Sequence, residues 1–262
     1  MKVIITIAIA VVALFAIGWI GLQVKPQPFS IPQLDRTPTR TITIPAGLPA
    51  PVERFLRATY GDQIPQVQTV VLTGRGRMRP FGIWLPVRYV MIHNAGSDYR
   101  HYFEATFFGV PFLRVNEGYI DGQSFFESPM GTYYNDPNTN QAANLALWAE
   151  GAWFPSIWAT DVRARWQAVD DNTALLTVPW GDEPETFVVR FNPETGLLAT
   201  MEAMRFRAPN DKDKILWITS SSPDGSTAYA TWMDDGKPWL ALSLDQFSVN
   251  LDVSQYIRAR GK

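Results

Sequence analysis

The 262-residue sequence contains no cysteine and only two histidines, His93 and His101. Without thiols there is no disulfide framework, no thiolate nucleophile and no cysteine to carry a lipobox-type lipid anchor. Neither sign of charge dominates, with 23 Lys and Arg against 25 Asp and Glu. A net charge of −2 removes the electrostatic footprint of a nucleic-acid binder, so no nucleic-acid partner is expected. A 46% hydrophobic content against 18% charged residues likewise argues against a disordered chain. Nucleophile motifs are missing: there is no Gly-x-Ser-x-Gly elbow, and triad chemistry would rest on His93 or His101. Both fall in predicted strands, where a surface or satisfied core histidine is the plainer reading. Two histidines eight residues apart, with no His-Glu-x-x-His arrangement, make a poor zinc set; no metal ligand, catalytic residue or cofactor is expected. Gly74-Arg75-Gly76-Arg77 lacks the third glycine and the following helix of a phosphate-binding loop and reads as the flexed end of a strand. Asp211/Asp213 and Asp234/Asp235 fall in turn-like sequence, where carboxylates accept local backbone donors.

What is present begins with an uncharged run from Val3 to Leu22. At about 1.5 Å per residue it spans the roughly 30 Å of bilayer hydrocarbon. It exceeds the h-region of about 7–15 residues usual in a signal peptide, the main rival reading, and no small-x-small cleavage site follows convincingly. Residues 1–24 are therefore expected to be a retained signal anchor. Lys2 on one flank and Lys25, Arg36 and Arg40 on the other leave the positive-inside count without a strong preference, and the short lead with Lys2 is what leads to the expectation of a cytoplasmic N-terminus and a C-terminal domain outside the cell membrane. Prolines at Pro26, Pro28, Pro32, Pro38 and Pro45 bias residues 25–45 to extended geometry. That segment is either a spacer between bilayer and domain or a strap lying on the domain surface.

Residues 46–262 read as a single domain, mainly β (α+β), with a curved antiparallel sheet or half-barrel. Pro51 at a first-turn position, Val52, Phe55, Leu56 and Thr59 at helical spacing, and Gly61 at the end predict a short N-terminal helix. Strand patterns follow over 67–78, 83–93 and 99–108, with a turn region at Gly118 to Gly122. They resume over 162–168, 174–180, 186–191 and 197–206. Near the end, Phe247, Val249, Leu251 and Val253 share one face, and Gln246, Ser248, Asn250 and Asp252 the other, which predicts a sheet wet on one side. Between the halves, Asn138 or Thr139 is placed to cap a helix carrying Ala142, Leu145, Trp148 and Ala149 and ending at Gly151. The aromatic run after it, Trp153-Phe154-Pro155-Ser156-Ile157-Trp158, fits neither helix nor strand.

Aromatic residues make up 13% of the chain. They are either plain sheet core or the lining and plug of an apolar cavity formed by Phe107, Phe108, Trp148, Trp153, Phe154 and Trp158. The cavity reading makes the protein a membrane-tethered, non-enzymatic binder of a lipid or other apolar small molecule. An accessory subunit of a membrane protein complex, with a protein partner, is the alternative. A hydrolase using paired carboxylates among Glu104, Glu117, Asp121 and Glu127 is the third reading.

The stretch Leu48-Pro49-Ala50-Pro51-Val52-Glu53-Arg54-Phe55-Leu56, the Asp121-Gly122 turn and Ala149-Glu150-Gly151-Ala152-Trp153-Phe154-Pro155-Ser156 resemble the recurring motifs of an uncharacterised prokaryotic family of membrane-anchored proteins with a domain of unknown function. The similarity runs over about residues 48–206 and again over the last twenty. The chain departs from the family's basic, aromatic segment at Lys212-Asp213-Lys214-Ile215-Leu216-Trp217. No catalytic residues come with that resemblance. By architecture the chain is also similar to half-barrel lipoprotein carriers of the LolA and LppX type, a likeness that implies a curved sheet closed by helices over an apolar cavity.

Overall fold

The computed structural model describes residues 2–80 and 82–259; the outermost residues of the expected 1–24 and 46–262 segments lie outside this range. Helix α1 (Lys2–Gly21) is apolar and exposed along nearly its whole length. Among the described residues it is the one helix long and apolar enough to cross a membrane, with a mean hydropathy of 2.9.

The sheet has 13 strands, every neighbour antiparallel, in two meanders. The first comprises β3 (Thr69–Met78), β4 (Leu85–Asn94), β5 (Asp98–Phe107), β6 (Val110–Ile120), β7 (Gln123–Ser128) and β8 (Gly131–Tyr134). The second comprises β9 (Arg165–Ala168), β10 (Thr173–Val178), β11 (Glu185–Phe191), β12 (Leu198–Arg205), β13 (Ile215–Ser221), β14 (Thr227–Trp232) and β15 (Lys237–Val249). They join where β3 pairs with β15, so the last strand closes onto the first and β8 and β9 are left as edges. The sheet curves without closing, as the mainly β reading expects. A separate pair, β1 (Thr41–Thr43) and β2 (Gln63–Pro65), flanks α2 (Ala50–Tyr60). Pro51 at the start of α2 has no amide to lose, and Val52, Phe55 and Leu56 turn inward.

Alternation sorts β4 cleanly: Leu85, Val87, Tyr89 and Met91 enter the main core, whereas Val90 and Ile92 face out. The inner face carries α2 and an insert made of α3 (Pro137–Ala149), a 3₁₀ turn (Glu150–Trp153) and α4 (Ile157–Thr160). Asp136, rather than Asn138 or Thr139, caps α3 by accepting the Thr139 N–H at 3.0 Å, because Pro137 fills the first helical position. The aromatic run that fits no pattern becomes the 3₁₀ turn and α4. Gly151 sits where a Cβ would press 2.5 Å from Trp158 Nε1, which itself donates to the Trp148 carbonyl at 2.9 Å.

Four other expectations shift. Gly74 and Gly76 lie inside β3, not at a flexed end, because a Cβ on either would overlap the backbone carbonyls of Ser243 or Ala241 on β15. β6 runs through Gly118 to Ile120, leaving only Asp121 and Gly122, both at positive φ, as the turn. Val162 to Ala164 are not in a strand; the Arg163 side chain instead pairs with Asp161 and the Gly96 carbonyl. The strict alternation near the end breaks at Asn250, whose φ of 57° reverses the pattern. Phe247 and Val249 thus stay on the inner face, while Leu251 and Val253 join the outer cluster.

Residues 25–40 lie along the outer face as a strap. Phe29, Ile31 and Leu34 pack on Val71, Val90, Ile92 and Tyr102. Arg88 donates to the Gln27 carbonyl at 3.1 Å and stands over the Phe29 ring at 4.4 Å. Further on, Arg36 bridges Leu251, and Asn250 Nδ2 donates to Thr39 Oγ1 at 3.1 Å.

Candidate functional site

The inner face of the second meander does not pack fully against the insert. A cavity of about 830 Å³ remains, walled by Phe55 and Tyr60 from α2, Met91 from β4, Trp217 from β13, Leu240 and Leu242 from β15, and Trp153 and Phe154 from the insert. Its polar edge comes from Glu150, Asn192, Glu194 and the Thr219 to Ser222 segment.

The six aromatic residues singled out in the sequence fall in three places. Trp153 and Phe154 line the cavity. Trp148 and Trp158 are 1% and 2% exposed and stand behind that wall, joined to each other by the Trp158 indole hydrogen bond. Phe107 and Phe108 stand apart, on the hairpin between β5 and β6, edge to face at 4.8 Å and partly exposed. They meet the end of α1: Phe108 N–H donates to the Gly21 carbonyl at 2.9 Å.

At the insert's 3₁₀ turn a polar cluster has formed that the sequence spacing did not announce. Met91 pairs with His101, and His93 with Tyr99, across the β4–β5 hairpin. The two histidines are therefore diagonal neighbours on the inner face, with ring centres 5.6 Å apart. Glu150 reaches both from above. Its Oε2 lies 2.8 Å from His101 Nε2 and 3.2 Å from His93 Nε2. The closer contact is a hydrogen bond, whereas neither nitrogen of His93 has a hydrogen-bond partner among the described residues. The other nitrogen of His101 is held by Glu117 Oε1 at 3.2 Å. Phe154 packs its edge on His93 at 5.3 Å, and Tyr99 stacks on His101 at 4.3 Å.

Electrostatics separates the members. Burial lowers the pKa of His93 and keeps the ring neutral. Burial also works against a charged His101, but Glu150 and Glu117 outweigh it and push its pKa up to about 9. For Glu150 burial acts upward, and the two histidines overcome it to bring the carboxyl down to about 2. At neutral pH the cluster thus holds the His101 imidazolium against the Glu150 carboxylate, beside the neutral imidazole of His93.

The four carboxylates weighed for hydrolysis do not converge. Only Glu117 belongs to this cluster. Glu104 faces out against Arg88, Glu127 bonds Asn116 and Tyr134, and Asp121 in its turn meets Arg258. The His93–His101 neighbourhood was legible in principle, since Asn94 to Ser97 reads as a hairpin turn, but Glu150 enters from a helical segment with no local signal linking it to either histidine.

Comparison with solved structures finds a LolA superfamily protein from Nitrosomonas europaea, with a TM-score of 0.46, 9% identity and coverage of 83% of this chain and 98% of that one. A domain from Vibrio parahaemolyticus assigned to outer membrane lipoprotein sorting gives a TM-score of 0.38 at 8% identity, over 69% of this chain and 85% of that one. A DUF1329 family protein from Desulfovibrio piger gives 0.33 at 9% identity, over 80% and 96% respectively. No curated protein matches the chain. The sequence model of one family matches residues 39–242, most of the described domain and the whole stretch carrying the Trp-Phe-Pro block, though not the last twenty residues. The chain therefore belongs to the family of unknown function DUF6544.

Proposed function

We propose that the domain holds a lipid or other apolar small molecule in the cavity under the insert, with Trp153 and Phe154 against the ligand and Trp148 and Trp158 as the rigid backing. The reading rests on the cavity itself: about 830 Å³ with largely aliphatic and aromatic walls. That volume is within the roughly 300–1,000 Å³ of small-molecule sites. In this reading the protein binds without chemistry, and α1 is a retained single-pass anchor with a cytoplasmic N-terminus and an extracytoplasmic domain. Exposed Phe108, Val110 and Phe112 lie on the hairpin that contacts the end of α1. Their place is where an anchored helix leaves the hydrocarbon, so they suit the bilayer interface and not the ligand.

The chain from residue 25 onward, which keeps the strap, is the form to test. Purified without detergent, it should carry lipid by native mass spectrometry and bind a fluorescent fatty acid. Trp153→Ala should lower the bound amount, and Ala228→Trp, which fills the cavity, should weaken binding at least ~10-fold. A folded domain that carries no lipid and binds no probe would overturn the reading. The accessory-subunit alternative draws on the same exposed hairpin; a cross-link from Phe112 to one stoichiometric protein in native membranes, with no lipid bound, would favour it.

A further inference from the structure

We infer that His93, His101 and Glu150 form a binding site for a divalent transition-metal ion of the zinc or iron class, with Glu117 fixing the His101 ring from outside. One ligand atom from each of the three residues lies within 4.8 Å of the others. Glu150 Oε2 is already 3.2 Å and 2.8 Å from the two imidazole Nε2 atoms. Around an ion with bonds of about 2.1 Å, tetrahedral ligand atoms stand about 3.4 Å apart, so small side-chain rotations suffice to admit it.

His93 is the independent observation. It is 0% exposed, and its Nε2 points at Glu150 without a hydrogen bond on either ring nitrogen. A buried imidazole left unsatisfied at both nitrogens is costly, and an ion at Nε2 gives one of them a partner. A His101–Glu150 ion pair by itself accounts for His101 but leaves His93 without a role. Glu117 supplies the other half of the pattern. By accepting from Nδ1–H of His101 it keeps the proton on that nitrogen, so that Nε2, on giving up its own proton to an incoming ion, aims its lone pair at the centre of the cluster, as outer carboxylates do for metal-bound histidines.

Two imidazoles and one carboxylate are the donors of open zinc sites and of non-haem iron sites. Glu150 also lines the cavity, so the unfilled coordination position and the route of entry face that space. The site does not depend on what else the cavity holds, and lipid binding needs no ion, so each proposal stands or fails without the other.

The test uses the full chain in detergent micelles, stripped with a chelator and dialysed against Zn²⁺ alone, with elemental analysis as the readout. About one ion per chain is expected, with His93→Gln and Glu150→Gln weakening binding at least ~100-fold and Glu117→Gln about 10- to 100-fold. Glu127→Gln, on the other face, should change nothing. Substoichiometric uptake, or equal binding by folded variants and the parent chain, would overturn the site. Where a variant does not fold, Co²⁺ on the parent chain decides: intense visible bands of a low-coordinate ion support it, and the pale spectrum of the hydrated ion refutes it.

Discussion

Glu104 shows how a single residue is made indispensable by its neighbours. It is 4% exposed on the outer face, where Arg88 Nε donates at 2.7 Å and Tyr102 Oη at 2.8 Å. Burial opposes its charge, but the Tyr102 hydroxyl, Arg88 and Arg114 outweigh it and hold its pKa below the ordinary 4.5. A depressed carboxylate contributes stability that is fully present above its unfolded pKa and is lost as pH falls through the lower folded value. Urea titrations of the chain from residue 25 should therefore show stability declining below about pH 4.5, with a shallower decline in Glu104→Gln. At pH 7 the same variant should cost about 1–2 kcal/mol, since the half-buried Arg88 loses its carboxylate but keeps the Gln27 carbonyl and the Phe29 ring. Sequence alone marked Glu104 as one of four carboxylates that could act together. Only the register of β4 against β5, with Arg88 opposite Glu104, gives it a structural partner instead.

At the scale of elements, the strap is the clearest case of a segment whose meaning lies elsewhere in the chain. Its prolines announce extended backbone, yet extended backbone fits a free spacer and a surface strap equally. What decides is an apolar outer patch assembled from β3, β4, β5 and the C-terminal Leu251 and Val253, far apart in sequence. Covering that patch is favourable at roughly 25 cal/mol per Å² of apolar surface. Removing residues 1–24 should leave cooperative unfolding intact, whereas removing 1–40 should lower the urea midpoint and increase binding of a hydrophobic dye. Phe29→Ala, which removes the ring packed 5.9 Å from Tyr102 and under Arg88, should cost about 1–2 kcal/mol in the same titration. The insert differs. Its helix is written locally by Asp136, Pro137 and the apolar spacing, and only the 3₁₀ continuation through Gly151 depends on Trp158 folding back.

Over the whole molecule, one long-range strand pairing joins the two meanders within the sheet. β3 and β15 come from opposite ends of the domain, and their pairing turns two local meanders into one sheet. Gly74 and Gly76 allow this close pairing, since any Cβ there meets the β15 backbone. Gly76→Ala should destabilise by about 1–3 kcal/mol through overpacking. If this pairing couples the halves, calorimetry will show both meanders losing structure in a single transition in the parent chain. Two transitions in that chain would show that the meanders fold apart.

The amino-acid sequence by itself determined the elements whose causes are local: the apolar helix from its uncharged run, α2 from Pro51 and its inward face, and the hairpins from period-two alternation between turn residues. Spacing and turn chemistry act over a few residues, and a few residues suffice to read them. The tertiary structure decided what depends on distant partners. It set the strap against the outer face, turned Leu251 and Val253 away from Phe247 and Val249 at Asn250, and carried Phe107 and Phe108 to the base of α1. It also brought Glu150 onto His93 and His101, because sheet register and the placement of an inserted helix are settled by global burial, which no local stretch of sequence encodes.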